Sequence, residues 1–402
     1  MNILHIYKDY FPVLGGIENH VRVLAEAAVA RGHAVSVLVT GLDRRTHIET
    51  VHGVNLIKTA RWLNISSAPI SPAMFGWARR LGRAADIVHL HFPYPPGELA
   101  HLFSRSRAKT VISYHSDIVR QKALLRVYRP LLWRVLRRAD RILATSPRYI
   151  DSSPFLSRLR DKCAVVPLGV DTARFAAADP ARVTALRNQL TTQPRTAGRK
   201  QPPNPAQRGA SSHPTPHSGA QAATQLLLSV GKLRYYKGLD TLIQALPQLP
   251  SARLVIVGAG PMDAAWRELA AALSVADRVV FVGEVDDAEL PIYYHAAAVF
   301  ALPANARAEA FGTVLVEAMA AGLPCVTTEV GSGTSWVVQD GVTGRVVPPR
   351  DPDALAEAIT PLLADADLRR RLGQAGAERA RAEFDERLMI DRILAAYTAL
   401  IR

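Results

Sequence analysis

Residues 308–331 read AEAFGTVLVEAMAAGLPCVTTEVG. A helix of small and apolar residues begins near Gly312, and a short strand candidate, Cys325–Thr327, follows it. Glu309 lies in the loop before that helix, and Glu317, eight residues further on, lies about one turn inside it. Carboxylates so placed on one side of a cleft accept hydrogen bonds from adjacent sugar or ribose hydroxyls. The N–H groups of Phe311 and Gly312 fall at the helix start, where free donors and positive potential can hold a hydroxyl or a phosphate oxygen. Ordinary helix-surface glutamates would give the same spacing, but the flanking Phe-Gly and AMAAGLP set this pair apart.

The same alternation extends outward in both directions. Strand candidates are Asn2–Tyr7, Ala34–Val39, Asp86–His91, Thr110–Tyr114, Arg141–Ala144 and Ala164–Val166, then Gln225–Val230, Arg253–Val257, Val279–Val282 and Val299–Ala301. Helical patterns separate them, with one starting at Ile17 and another at Leu239. Short apolar strands alternating with helices predict two doubly wound parallel α/β domains, Rossmann-like, whose ligands bind beyond the carboxyl ends of the strands in a central cleft. The first domain is expected over 1–190 and the second over 225–384. Between them, 191–224 is rich in Pro, Gly, Ser, Gln and Ala without apolar periodicity, and reads as a disordered, solvated insertion.

Charge divides the chain in the same way. The 402 residues carry a net +14. Residues 1–190 hold 28 Lys/Arg against 13 Asp/Glu, residues 191–224 hold four basic and no acidic groups, and residues 225–402 hold 17 against 22. Such asymmetry suits two domains that face different partners. An apolar content of 49% excludes a disordered chain. Two cysteines, Cys163 and Cys325, exclude a disulfide scaffold and suit a reducing, cytosolic setting as buried small hydrophobes. The start, MNILHIYKDYFPVLGG, lacks the basic region of an export signal, and no apolar run is long enough to predict a spanning helix.

Two loops carry further chemistry. Gly15-Gly16 follows the first strand and opens a helix, which lets backbone approach an anion, although a tight turn would use the same residues. In LLLSVGKLRYYKGLDTLI, Lys232, Arg234 and Lys237 crowd one strand-to-helix loop of the acidic half. Three cations there suit a diphosphate, whose charge they neutralise without a metal ion.

Taken together, GGIENHV (15–21), SYHSD (113–117), VPLGVDTARF (166–175), VGKLRYYKG (230–238), VIVGAGP (255–261), the Glu309–Glu317 segment and DGVTGRVVPP (340–349) resemble the retaining nucleotide-sugar glycosyltransferases of family 4, which have the GT-B architecture. The resemblance covers nearly the whole chain outside 191–224. It implies that Gly15 and Gly16 lie near the donor phosphates and the acceptor, and that His115 contacts the donor sugar or the reacting centre. It places Lys232 and Lys237 on the diphosphate, Glu309 on the donor sugar and Glu317 on the ribose. Arginine is common where Lys232 stands, and lysine loses the bidentate fork there. Residues 385–402 match a final helix that crosses back to the first domain. HSDIVRQKALLRVYRP (115–130) and GSGTSWVVQDGVTG (331–344) look most like users of GDP-mannose or GDP-rhamnose that build bacterial O-antigen or exopolysaccharide on lipid-linked acceptors. The resemblance thus implies a nucleotide diphosphate sugar donor and a lipid-linked saccharide acceptor; with Lys232 and Lys237 neutralising the diphosphate and no Asp-x-Asp motif read, no cofactor or metal is expected.

His89 and His91 alternate on one strand and suit structural or cleft-lining roles better than a metal pair. Asp286-Asp287 suits a helix N-cap. Arg120–Arg141 suits two amphipathic helices broken or kinked at Pro130. A competing reading sets this basic face, Trp133, and the nearby Phe75, Trp77, Arg79, Arg80 and Arg83 against anionic lipid, with the protein peripheral on the inner face of the cytoplasmic membrane. A nucleotide-sugar epimerase of the same fold is an alternative activity. Nucleic-acid binding is disfavoured, since no recognition helix or aromatic platform accompanies the charge.

Overall fold

A computed structural model describes residues 1–11, 13, 15–65, 68–117, 122–192 and 224–402, with the side chains of 122–125 left aside. The insertion expected over 191–224 falls almost wholly outside the described residues. The first ten strands are β1 (Asn2–Ile6), β2 (Ala34–Thr40), β3 (His47–Val51), β4 (Val54–Thr59), β5 (Leu63–Ile65), β6 (Ala68–Ile70), β7 (Ile87–Phe92), β8 (Lys109–Tyr114), β9 (Arg141–Ala144) and β10 (Cys163–Val165). Eight of these form one sheet in the order β10-β9-β8-β7-β1-β2-β4-β3, parallel except for the β3–β4 hairpin. β5 and β6 form a separate antiparallel pair. The second sheet holds β11 (Gln225–Val230), β12 (Ala252–Val257), β13 (Val279–Gly283), β14 (Val299–Leu302), β15 (Cys325–Thr328) and β16 (Gly344–Val347), in the order β13-β12-β11-β14-β15-β16, all parallel.

Every strand expected from the sequence is present, within one residue at each end. β3 to β6 and β16 are additional. The central strands β7 and β12 are buried along their whole length, as parallel strands covered by helices on both faces must be.

Three expectations are corrected. The helix Lys122–Arg138 runs as a single helix with Pro130 inside it, where two had been expected. An internal proline costs a helix about 3 kcal/mol, and burial of Leu132, Val135 and Leu136 in the first core offsets that cost. Asp286 and Asp287 do not cap the next helix, which is Leu290–Ala296 with Glu289 at its N-cap. Asp287 instead pairs with Arg174, at 3.8 Å.

The third correction moves the domain boundary from 190 to near Val170. Val170, Phe175 and Leu190 pack into the core beneath the second sheet. The helix Pro180–Thr192 lies against Leu290–Ala296, joined to it by Arg182–Glu289 at 2.5 Å and by Arg187 donating to the His295 and Ala296 carbonyls. In the other direction, the final helix Glu386–Ile401 sends Met389, Ile390, Ile393, Leu394 and Tyr397 into the first core. The chain therefore crosses between the two units twice.

Candidate active site

The loop after β11 is built on close backbone approach. Gly238 has φ +69°, and a Cβ there would sit 1.9 Å from the Pro303 carbonyl oxygen. This fit lets the turn Tyr235–Lys237 lie against the loop after β14. The Lys237 ammonium lies beside Gly231, and donates to the Glu309 carboxylate at 2.7 Å with both side chains nearly buried. Burial alone would lower the Lys237 pKa, but the Glu309 charge and hydrogen bond outweigh it and raise it, so the cation is held. Lys232 and Arg234 are exposed on the same loop.

The helix announced by the Glu309–Glu317 segment spans Thr313–Ala320. Gly312 is its N-cap at φ +80°, and a Cβ there would meet Leu315 and Leu302 at 2.9 and 3.1 Å. The Phe311 ring is core, packed against Phe384 and Trp336. Glu317 accepts a hydrogen bond from the Tyr294 hydroxyl at 2.7 Å. Its carboxyl pKa is raised, because burial outweighs that hydrogen bond and the pull of Arg174 and Lys237.

The facing unit contributes the helix Gly16–Ala30, with Gly15 at its N-cap. A Cβ on Gly15 would fall 2.1 Å from a Glu18 carboxylate oxygen, and Lys8 pairs with that carboxylate at 3.6 Å. On Gly16 a Cβ would meet nothing within 4 Å. His20, on the same helix, lies edge-on to His115 with ring centroids 5.1 Å apart. His115 follows β8 directly and is joined to His91, which in turn is joined to His5, at N···N separations of 3.2 and 3.1 Å. His89 hydrogen-bonds Ser113 at 2.8 Å and Tyr397 of the final helix at 2.5 Å. Burial depresses all five imidazole pKa values, to about 3 for His5 and about 4 for His20, with neighbouring imidazoles adding to the effect at all but His20. The rings are therefore neutral near pH 7.

The two histidines noticed in the sequence thus belong to a cluster of five. Ring nitrogens of His5, His89 and His91 lie within 4.8 Å of one another, as do those of His20, His91 and His115, a spacing at which imidazoles can share a metal ion. Sequence reasoning also passed over two Asp-x-Asp triplets, 351–353 and 365–367. Each is a helix cap: Asp351 accepts from the Ala354 N–H, and Asp365 from those of Asp367 and Leu368.

Loops of the two units meet beside the site. Arg307, two residues before Glu309, pairs at 3.0 Å with Asp117, two residues after His115. Its guanidinium also donates to the Ser152 carbonyl and lies over the Tyr149 ring. Ser152 donates to the Gly331 carbonyl at 2.6 Å, and Arg148 pairs with Glu329. Tyr294, Arg307 and Asp117 carried no periodic or compositional signal. His5 and His20 were invisible because only strand and helix order bring them to His91.

Residues 216–379 match the model of glycosyl transferases group 1, and residues 14–174 match that of glycosyltransferase family 4. The chain is 33% identical over 404 residues to O-antigen chain mannosyltransferase C of Escherichia coli, covering 100% of this chain and 99% of that protein. The chain belongs to glycosyltransferase family 4. Another relative of this glycosyltransferase is D-rhamnosyltransferase WbpZ of Pseudomonas aeruginosa, 34% identical over 360 residues that cover 89% of this chain and 86% of that one. Its fold matches sucrose-phosphate synthase from Thermosynechococcus elongatus with a TM-score of 0.75 at 24% identity, over 99% of this chain and 98% of that one. The architecture is GT-B.

Proposed function

We propose that this glycosyltransferase moves mannose or rhamnose, with retention and without a metal ion, from a nucleoside diphosphate sugar to a hydroxyl of a lipid-linked saccharide during bacterial surface-polysaccharide synthesis. The observation that carries the mechanism is the nearly buried Lys237–Glu309 pair beside the start of the helix Thr313–Ala320. The sugar and pathway rest on likeness to the mannosyl- and rhamnosyltransferases.

In this reading the bond from the anomeric carbon to the diphosphate breaks as the acceptor oxygen bonds to the same face. The acceptor proton passes to the leaving diphosphate oxygen. Charge growing on the diphosphate is met by Lys237, with Lys232 and Arg234 at the loop surface. Glu309 accepts from a sugar hydroxyl and holds the Lys237 ammonium in place. The Phe311 and Gly312 N–H groups and those of Gly15 and Gly16 face donor oxygens, and the open side of Gly16 suits such an approach. Glu317, held by Tyr294, takes the ribose hydroxyls, and His115 faces the reacting centre. Closure through Arg307–Asp117 would align the reactants and exclude water.

The test is incubation with GDP-mannose or GDP-rhamnose and a lipid-linked acceptor, with the product anomer read by NMR. Transfer with retained configuration that survives EDTA supports the reading. An inverted product, loss of activity with EDTA, or donor conversion without acceptor would each overturn it, the last in favour of an epimerase.

A membrane-facing first domain belongs to the same proposal. Exposed Arg126, Arg129, Arg134, Arg137 and Arg138 line the helix Lys122–Arg138, and exposed Phe75 and Phe103 lie near one another with Arg79, Arg80 and Arg83 close in sequence. Trp133 turns inward, against Phe155 and beneath Arg137. Among the described residues no helix is long and apolar enough to cross a membrane. Liposome flotation that rises with anionic lipid content is the expected result, and indifference to it would remove this part.

A further inference from the structure

The ring order His5–His91–His115 leads from β1, across β7, to the residue that directly follows β8. Three nitrogens of the cluster are buried with no hydrogen-bond partner: His5 Nε2, His20 Nε2 and His115 Nδ1. A neutral imidazole has one N–H and one bare nitrogen. Three such rings joined in a row can therefore point only one way at a time. In one state His5 Nδ1–H donates to His91 Nε2, His91 Nδ1–H donates to His115 Nε2, and His115 keeps its proton on Nδ1. In the other, every bond reverses, His115 Nδ1 is bare, and His5 Nε2 carries a proton.

The two states differ at their ends. The reversed state leaves an N–H on His5, deep under the sheet, with no acceptor. Orphaned buried donors are rarer than orphaned acceptors. The first state moves the free N–H to His115, beside a cavity bounded by His20, Ser113, Thr145 and Leu168 that has room for about one water molecule. The depressed pKa values keep the chain neutral and so keep this constraint in force near pH 7.

We propose that His91 is a positioning residue for sugar transfer: with His5 behind it, it fixes His115 as the tautomer with its proton on Nδ1, so that His115 offers a hydrogen-bond donor at the reacting centre. This rests on the placing of His115 in the donor cleft. The chain thereby sets a protonation state in advance, as a hydrogen bond to the far ring nitrogen does for a metal-bound histidine.

The test uses the full chain with 15N-labelled histidine. Two-bond 1H–15N spectra separate Nδ1–H from Nε2–H rings, and His115→Gln identifies the His115 signals. The expected wild-type pattern is Nδ1–H for His5, His91 and His115. His91→Leu should shift His115 toward Nε2–H and lower kcat about tenfold at unchanged donor KM. His91→Asn, whose amide can still donate to His115 Nε2, should restore both. Should His91→Leu not fold, His5→Phe interrupts the same chain one ring earlier. An Nε2–H form of wild-type His115 would overturn the proposal, and so would a folded His91→Leu with unchanged kcat, whatever its tautomer. Spectra altered by EDTA would overturn it too, because a bound metal ion would then be ordering the rings. The tautomer readout needs no substrate, so a wild-type protein that transfers no sugar would sink the proposed function while leaving the chain's polarity measured.

Discussion

The two walls of the cleft solve the same problem by opposite means. On the second unit, Lys237, Glu309 and Glu317 sit with little exposure and are stabilised by pairing and by the Tyr294 hydroxyl. On the first, five imidazoles are buried and are held neutral by burial and by neighbouring rings. A buried ion pair supplies strong local field and fails badly if one partner is lost. Neutral rings supply orientation at low electrostatic cost, but depend on pH. In the proposed reaction the charged wall serves the leaving group, and the neutral wall places groups around it.

The sharpest way to break this contrast is to remove charge on the second wall. Lys237→Ala and Glu309→Gln should each lower transfer by about 100-fold or more, the usual scale for losing one stabiliser of developing charge, while circular dichroism stays native. Wild-type turnover in either would dissolve the distinction. The bridge between the walls comes next. Asp117→Ala leaves Arg307 without its partner and should lower kcat by about tenfold through poorer closure, measurable as initial rates at saturating donor. Tyr294→Phe should raise donor KM only a few-fold, by loosening Glu317.

Acid should find the neutral wall first. The buried histidines titrate at about 3 for His5 and about 4 for His20 when folded, against about 6.5 when unfolded. Between those values the unfolded chain binds more protons, so stability rises with pH up to about 6.5 and is lost as pH falls below it. Each such group contributes about 1.4 kcal/mol per pH unit in that window. Denaturant midpoints should therefore fall steeply below about pH 6, and a flat profile from pH 7 to 5 would contradict the neutral wall. A single carboxyl opposes this trend on the alkaline side: Glu98 is buried, with its pKa pushed up to about 8. Its ionisation costs the folded state as pH rises from about 4.5 to 8, so Glu98→Gln should flatten stability on that side.

What the sequence disclosed follows from range. Strands such as Arg141–Ala144, and the helix after Gly312, depend on local pattern and were legible to a residue. The β3–β4 hairpin was also legible in principle, since His52 and Gly53 both have positive φ in a two-residue turn, but the dipeptide His-Gly lacks the usual Asn or Asp. Glu309 and Lys237 were each marked by neighbours in the chain, yet their pairing depends on the loops after β11 and β14 being adjacent in the sheet. His5 meets His89 and His91 only because β1 lies beside β7. The boundary at 190 failed because composition marks where a linker begins, whereas packing decides which core a helix joins. Residues 170–190 add almost no net charge, so the cationic character of the first unit survives the correction, with 25 Lys/Arg against 11 Asp/Glu over 1–169.

The final helix carries a consequence for how the protein comes into being. The core that encloses β1 is completed by Met389, Ile393 and Tyr397. Residues of β1, made earlier at the ribosome, thus wait for the later helix Glu386–Ile401, with the whole second unit emerging in between. Until then the face that carries His5 and His89 lacks its cover, including the Tyr397 hydroxyl that meets His89. The second unit does not use these residues in its own cores. Order of synthesis and order of completion therefore run in opposite directions along this chain.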